Sequence, residues 1–299
     1  MTATLTPSPN LNASVVVPAS GEPRTALSVR TPFQALLDRV GGIIDGPLFT
    51  FLDSPRELNV QTGGSRTSFA IDVGPIASVV LRDSGGGSYV HSYAGGTGTV
   101  TQAHVGGNDL GAAAKAWYVY AYRNAGNLAW EVSDVAPNGA RTLKSTDNTR
   151  RYYGTFITDS AGAPIPMRAV GGVYTFRLSA AGTAVRALNA TPGGTPAATA
   201  FTNVDLSALL PPHARIARLY AVVTNTDNAN WGNVQFRTDG ETGYRVDVHC
   251  PPAGASQDGA AALAFELETS SARIVEYRRE NAASYADVSV GLFAYGWKE

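Results

Sequence analysis

The chain has 299 residues, of which 44% are hydrophobic and 16% charged, and its formal net charge is −1. This composition supports sizeable cores, and the near-zero charge excludes a global field that would draw the chain to nucleic acid or an anionic membrane. The many glycines (32) and prolines (17) indicate short strands joined by turns. Its single cysteine, Cys250, excludes an intrachain disulfide and is predicted to face a core from a strand.

The N-terminus does not have the pattern of an export signal. It lacks a basic region followed by a long apolar core, and no apolar stretch of the sequence approaches the roughly 18 residues that a membrane span needs. We therefore expect synthesis in a cytoplasm and no membrane insertion.

Residues 1–55 are predicted to be an attachment segment, an extended arm followed by one short helix. Residues 2–23 are rich in Thr, Pro, Ser and Asn, with Val15–Val17 as a short extended run, and cannot bury enough surface to fold alone. Between a Thr-Pro cap and a Gly-Gly stop, four apolar residues then fall at helical spacing: Phe33, Leu36, Leu37 and Val40. A helix of about ten residues is unstable alone, so it is expected to dock on a sheet or to bundle with its copies around a symmetry axis.

Residues 56–168 are predicted to form a first antiparallel β-sandwich. Alternating or β-branched runs are separated there by turn signals, and YVYAYRNAGNLAWEVS is typical of a hairpin. Its first strand carries Tyr118, Tyr120 and Tyr122 on one face, and Trp117, Val119 and Ala121 on the other. Because both faces are apolar or amphipathic, this strand is expected to lie between two layers.

Residues 161–172 are predicted to be a linker, and residues 169–299 a second sandwich of eight strands of jelly-roll type. The last strand places Val288, Val290, Leu292 and Ala294 on one face, which indicates a central strand, and Ser289, Phe293, Tyr295 and Trp297 on the other. The predicted fold class is thus all-β, with two antiparallel, jelly-roll-like sandwiches preceded by an arm and one short helix.

Clustered catalytic groups are sparse in this sequence. His91, His104, His213 and His249 lie far apart and outside metal-ligand spacings, and adjacent strand residues His249 and Cys250 point to opposite faces. Glu266 and Glu268 share a strand face with Cβ atoms about 7 Å apart, a separation that suits a glycosidase pair, although a solvent-facing row is the commoner arrangement. The sequence therefore predicts no catalytic residue, no metal site, no cofactor and no enzymatic activity.

Exposed aromatic residues suggest a binding role for the C-terminal domain. Trp231 lies in an oxygen-rich loop, TNTDNANWGN, and is a candidate for stacking on a sugar ring, while ordinary packing is the alternative. A Ca²⁺ site in this loop, with Asp227 and Asp239, is a further alternative that lacks the EF-hand pattern. Trp231 and Tyr244 are the predicted contacts to a glycan or receptor.

The strings WYVYAYRNAGNLAWEVSDVAP and KSTDNTRRYYG, the second being residues 144–154, resemble a segment of tailed-phage structural proteins. The similarity spans residues 13–166. It implies a virion protein. A homotrimeric tail fibre, appendage or collar component is preferred, because the short helix would bundle about a threefold axis, and a head fibre or capsid decoration protein is the alternative. A receptor- or glycan-binding tip is a further alternative, and a polysaccharide-degrading enzyme is the third hypothesis. The arm would attach to other virion proteins.

The 144–154 element also has a physical interpretation. Asp147 and Thr149 are expected to cap a tight turn through side-chain to backbone hydrogen bonds. Arg150 and Arg151 then enter a strand pointing to opposite sides, so one can pair with Asp147 or Asp134 while the other faces outward or across a subunit boundary.

Overall fold

The computed structural model describes residues 3–5, 15–17, 56–61, 64–85, 87–100, 109–177, 185–191, 200–254, 258–280 and 287–299. Its strands are β1 Ala3–Leu5, β2 Val15–Val17, β3 Glu57–Val60, β4 Phe69–Val73, β5 Ile76–Arg82, β6 Ser88–Tyr93, β7 Gly96–Val100, β8 Ala116–Asn124, β9 Asn127–Ser133, β10 Leu143–Lys144, β11 Asp147–Ile157, β12 Met167–Val170, β13 Val173–Phe176, β14 Arg186–Ala190, β15 Thr202–Asp205, β16 Ile216–Asn225, β17 Gly232–Thr238, β18 Val246–Cys250, β19 Gly259–Glu268, β20 Ile274–Arg279 and β21 Val288–Lys298. These strands form several antiparallel sheets, which confirms the all-β fold class.

The structure describes only part of the predicted N-terminal segment. Val15–Val17 is extended as expected, and this strand pairs antiparallel with Ala3–Leu5. The predicted helix and its apolar residues Phe33, Leu36, Leu37 and Val40 lie outside the described residues.

The chain divides into two compact units, and the first comprises residues 1–55, 74–95 and 118–153. It contains the hairpin β5-β6 and most of the sheet β10-β11-β8-β9. The predicted hairpin is confirmed as β8-β9, and Asn124 pairs with Asn127 across the two-residue turn Ala125-Gly126. Both turn residues have positive φ, 48° and 92°, which is the requirement of a type I′ turn.

Both faces of strand β8 are buried. Its residues Tyr118, Val119, Tyr120 and Ala121 are all inaccessible to solvent. On one face the Tyr118 and Tyr120 rings lie 6.5 and 6.1 Å from the ring of Tyr152 in β11, the neighbouring strand of the same sheet. The β5-β6 hairpin packs against this sheet through contacts between β6 and β9.

The second unit comprises residues 56–73, 96–117 and 154–299. Its last eight strands form two sheets, β14-β21-β16-β19 and β15-β20-β17-β18. Successive strands alternate between these sheets except for the hairpin β17-β18, which is the strand order of a jelly roll with two Greek keys. Alternate residues of β16 are buried, and the Phe236 and Phe265 rings meet 5.1 Å apart between the sheets.

Strand β21 is central, as its pattern predicts: β16 lies along one edge, while β13 and β14 share the other. Val288, Val290, Leu292 and Ala294 are buried. The prediction that Trp297 lies on the opposite face is wrong, because Trp297 is also fully buried.

A β-bulge explains the position of Trp297. Arg218 pairs with Gly296, but the next residue, Leu219, pairs with Ala294. One extra residue on β21 reverses the inward and outward alternation beyond it. The indole of Trp297 therefore turns inward and stacks on Tyr174 at a ring distance of 4.4 Å.

The predicted domain ranges, 56–168 and 169–299, differ from the compact units. Met167–Val170 is a strand within the predicted linker, and it pairs with both β3 and β13. Because β21 extends past β14, its last residues pair with β13, and the sheet continues through β12, β3, β4 and β7. Residues predicted to belong to the first sandwich thus extend a sheet of the jelly roll.

Candidate functional site

Trp231 lies directly before β17, and 62% of its surface is exposed. The loop that precedes it is built by its own side chains. The Asp227 carboxylate accepts hydrogen bonds from the backbone N–H groups of Ala229 and Asn230 at 2.7 and 3.1 Å and from the Asn230 amide at 2.9 Å. The Asn225 amide donates to the Asn230 carbonyl at 2.8 Å. This network presents the indole to solvent on an ordered turn.

The carboxylate oxygens of Asp227, which suggested a Ca²⁺ site, accept hydrogen bonds from within this loop. The hydrogen bonds from Asn230 and Ala229 hold the pKa of Asp227 below its ordinary value. Asp239 lies at the other end of β17, roughly 20 Å away along a seven-residue strand. Nowhere in the described ranges do three or more His, Cys, Asp or Glu side chains form a group that could hold a metal ion.

Tyr244 precedes β18 and has 66% of its surface exposed. The register pairs Gly232 with Cys250 and Phe236 with Val246, so Trp231 and Tyr244 lie at opposite ends of the β17-β18 pair. They cannot contact one ring of a glycan together. Tyr244 instead borders a groove of about 420 Å³ lined by Ile216, Thr238, Glu241, Glu266, Leu267 and Glu268.

Glu266 and Glu268 share the outward face of β19, as predicted, while Leu267 between them and Phe265 before them are buried. The two oxygens of Glu266 lie 2.6 Å from Nζ of Lys298 and 3.3 Å from Nε of Arg218. Glu266 is therefore engaged in ion pairs with a cation from each of two neighbouring strands.

The outward side of the sheet β15-β20-β17-β18 is polar and was not singled out from the sequence. Its members, which we call the polar face, are Asn203, Asp205, Asn233, Gln235, Arg237, Asp247, His249, Glu276, Arg278 and Glu280. Arg237 Nε donates to Glu276 at 2.6 Å, and Arg278 Nε donates to Gln235 at 2.6 Å. In the sequence, the alternating polar residues of GNVQFRT indicate a polar side of β17. Only the strand order shows that the polar sides of β15, β20, β17 and β18 lie next to one another.

The ring of Phe201, directly before the edge strand β15, contacts two arginines of the polar face. The guanidinium carbons of Arg237 and Arg278 lie 3.7 and 4.6 Å from its ring centroid. Such cation–π contacts fix both guanidinium groups as flat, ordered hydrogen-bond donors.

The predictions for Cys250 and His249 are confirmed. Cys250 is fully buried, with Sγ 3.5 Å from the Val223 carbonyl oxygen, and burial raises the pKa of its thiol. His249 is exposed on the other side of β18.

The remaining histidines lie apart from this pair. Nε2 of His213 lies 2.9 Å from a carboxylate oxygen of Glu299. His104 lies outside the described residues.

In the first unit, the turn of the 144–154 element forms as predicted. The Asp147 carboxylate accepts hydrogen bonds from the backbone N–H and the hydroxyl of Thr149 at 2.9 and 2.7 Å. Burial alone would raise the pKa of Asp147, but these hydrogen bonds and the nearby charge of Arg150 outweigh it and lower the pKa. Arg150 lies 3.6 Å from Asp147, as expected.

The prediction that the second arginine faces outward is wrong. Arg151 is 2% exposed, and its Nη1 donates to the Val80 carbonyl at 3.2 Å. Alternation along β11 places Arg151 on the side of the sheet that β5 covers. The charged group of Arg151 therefore lies in the interior of this unit, where it links β11 to β5.

Comparisons with known proteins add little. No protein-family model matches the chain, and no curated protein matches it. Among solved structures, the crystal structure of a Bacillus thuringiensis Cry1Da tryptic core variant aligns with 9% identity and a TM-score of 0.13. That alignment covers 83% of this chain and 52% of the other, so the chain spans about half the length of that protein. A TM-score this low supports neither a fold nor a function.

In the described part of the chain, no helix has the length and the apolar character needed to cross a bilayer.

Proposed function

We propose that this chain is a structural protein of a tailed-phage virion, a homo-oligomeric tail fibre, appendage or collar component attached through its N-terminal arm. The observation that carries the proposal is the jelly-roll order of β14 to β21, an architecture used by viral coat and lectin domains. The resemblance of the 144–154 element to phage structural proteins supports it independently. Because one fold can serve many functions, the proposed virion role is tested by locating the protein on the particle.

The test is immunogold labelling of purified particles with an antibody against the C-terminal jelly roll. We expect gold at one defined appendage, and labelling of the head surface would favour the head-fibre or decoration alternative. An antigen that remains in the supernatant, while particles sediment without it, would contradict a virion role.

A glycan-binding tip is the second candidate function, favoured by the exposure of Trp231. The indole stands on an ordered loop, and the alternation of β17 places it on the same side as the partly exposed Asn233. An exposed ring beside a planar amide suits a saccharide, whose ring has apolar faces and a rim of hydroxyl groups.

A glycan array with the full chain separates this candidate from a purely structural role. We expect Trp231→Ala to reduce binding at least tenfold and Tyr244→Ala to leave it unchanged, since Tyr244 is equally exposed at the opposite end. Equal loss in both variants, or no binding by the parent chain, would contradict a site at Trp231. Release of reducing sugar would contradict the prediction that the chain is not an enzyme.

A further inference from the structure

Three polar side chains form a row across the polar face, two residues along β17 from Trp231. Asn233 is the middle member, and it pairs with His249 of β18 on one side. On the other side the Glu280 backbone N–H donates to the Asn233 carbonyl at 3.0 Å, and the Asn233 amide donates to the Glu280 carboxylate. His249 and Glu280 are exposed, as Trp231 is. An exposed indole thus lies beside an exposed imidazole and an exposed carboxylate.

The side-chain direction of Trp231 follows from the residue after it. Gly232 faces the inner side of the sheet, since a Cβ atom built on it would lie 2.5 Å from the Val288 side chain. Trp231 and Asn233 therefore face outward together. The Asn233 row lies about 7 Å from Trp231 along the strand, within reach of a sugar ring stacked on the indole, whereas the Gln235 row lies about 13 Å away.

Glu280 is the member of this row that best fits a sugar hydroxyl. A carboxylate accepts hydrogen bonds at both of its oxygens. The Asn233 amide binds one oxygen and so orients the group, and no hydrogen bond within the described part of the chain uses the other. A hydroxyl that donates to this second oxygen would make a charge-assisted hydrogen bond, which is stronger than one between neutral groups.

The charges around this row favour an uncharged ligand. Glu280 and Asp227, which lies in the loop that carries Trp231, both bring negative charge to it. Even a protonated His249 would leave carboxylates in excess. The arginines on this side of the sheet lie at the Gln235 row or further from Trp231: Arg278, Arg237 and Arg245. A carboxylated sugar would place a like charge beside Glu280, which is unfavourable, whereas a neutral sugar would not.

We propose that the site at Trp231 binds an uncharged saccharide, with the indole stacked on a sugar ring and Glu280 accepting a hydrogen bond from a hydroxyl of that ring. Asn233 is a positioning residue, because it acts through Glu280. The inference rests on the glycan-binding function proposed for Trp231. It deepens that function by naming the class of glycan and a second residue that binds it.

The experiment is binding of the full chain to an array that carries neutral hexose oligosaccharides and the uronic-acid oligosaccharides of the same configuration. We expect the neutral member of a pair to bind about fivefold more tightly, because the uronic acid adds a charge near Glu280. Glu280→Ala should weaken binding of the neutral member about tenfold, a loss expected for a hydrogen bond to a charged group. Glu280→Gln keeps an accepting oxygen but removes the charge, so the preference for the neutral member should largely disappear.

Glu268→Gln is the matched control, because Glu268 is also an exposed carboxylate and lies on β19 of the other sheet. This variant should change neither the affinity nor the preference. Thermal unfolding of the three variants should match that of the parent chain, since both positions are exposed.

Two results would overturn the inference while leaving a glycan-binding tip intact. One is tighter binding of the uronic-acid member of a pair. The other is binding that Trp231→Ala abolishes and Glu280→Ala leaves unchanged. Absence of binding to every glycan on the array, or binding that Trp231→Ala leaves unchanged, would contradict the glycan site at Trp231 itself and the inference with it.

Discussion

Nε of Arg150 donates a 2.6 Å hydrogen bond to one carboxylate oxygen of Glu131 in β9. The other oxygen of Glu131 accepts a 2.6 Å hydrogen bond from Lys144, so one acid holds two cations of the 144–154 element. The Arg150 guanidinium also lies 4.0 Å from the ring of Tyr122. These contacts join the element to the neighbouring hairpin and satisfy its charges within one unit of the chain.

Replacing Glu131 with Gln should destabilise this unit by about 1–2 kcal/mol, a value between exposed pairs and buried charged hydrogen bonds. The Glu131 side chain is 21% exposed, so solvent screening is partial. Urea unfolding of Glu131→Gln, Lys144→Met and the double variant gives the coupling free energy. A coupling energy near zero would show that the bridge contributes no more than a typical surface pair.

The hairpin turn should be improved by a residue that accepts positive φ. Ala125 adopts a φ of 48°, which costs an L-residue with a Cβ atom roughly 1–2 kcal/mol relative to glycine. We expect Ala125→Asn and Ala125→Gly to raise the free energy of unfolding by about 0.5–1 kcal/mol. Ala129→Gly, within strand β9, is the control and should lower it, since glycine weakens a strand. Destabilisation by both substitutions at position 125 would argue against the type I′ turn.

Two glycines with the same φ of +82° separate backbone strain from steric overlap. A Cβ atom at Gly162 would lie 1.9 Å from the Gly111 carbonyl oxygen, whereas one at Gly172 meets nothing within 4 Å. We expect Gly172→Ala to cost about 1 kcal/mol and Gly162→Ala at least about 3 kcal/mol in thermal or urea unfolding. Similar costs for both variants would mean that Gly111 is not as close to the turn as the structure places it.

The loop that carries Trp231 should loosen at low pH. Hydrogen bonds from the side chain of Asn230 and the backbone of Ala229 and Asn230 hold the pKa of Asp227 below 3.8. A lowered pKa in the folded state means that the stabilisation is present above pH 3.8 and is lost as the pH falls through the folded-state value. The amide resonances of Ala229 and Asn230 should therefore shift with a midpoint below pH 3.8.

Asp227→Asn is the control for this pH dependence, because its side-chain oxygen still accepts hydrogen bonds but does not titrate. In that variant the same resonances should stay constant across the acidic range. A midpoint in the parent chain above the ordinary value for aspartate would contradict the hydrogen-bonding pattern around Asp227.

Local sequence patterns predicted the parts of this protein that depend on neighbouring residues. The β8-β9 hairpin, the turn at Asp147, the buried position of Cys250 and the inward face of Val288 to Ala294 follow from alternation and turn chemistry, which act over a few residues. The exposure of Trp231 also followed from its place in a polar turn.

Other features depended on pairing between distant residues. The bulge at Gly296 reverses the alternation of β21 and buries Trp297, and no local pattern announces one extra residue opposite Arg218. The partner of Arg150 is Glu131, 19 residues away, because the hairpin folds back beside β11. Residues 161–172 look like a linker because Gly and Pro are frequent there, yet β12 gains both edge partners only in the folded sheet.

The sequence by itself determined that this protein is all-β and which residues of each strand can face a core, since side-chain alternation is a property of the extended backbone. The tertiary structure decided which strands meet and therefore where the surfaces lie. It separated Trp231 from Tyr244 by the length of a strand and gathered Asn233, His249 and Glu280 in one row beside Trp231. Strand order and register are set by the summed packing of distant segments, and that sum cannot be read from any one of them.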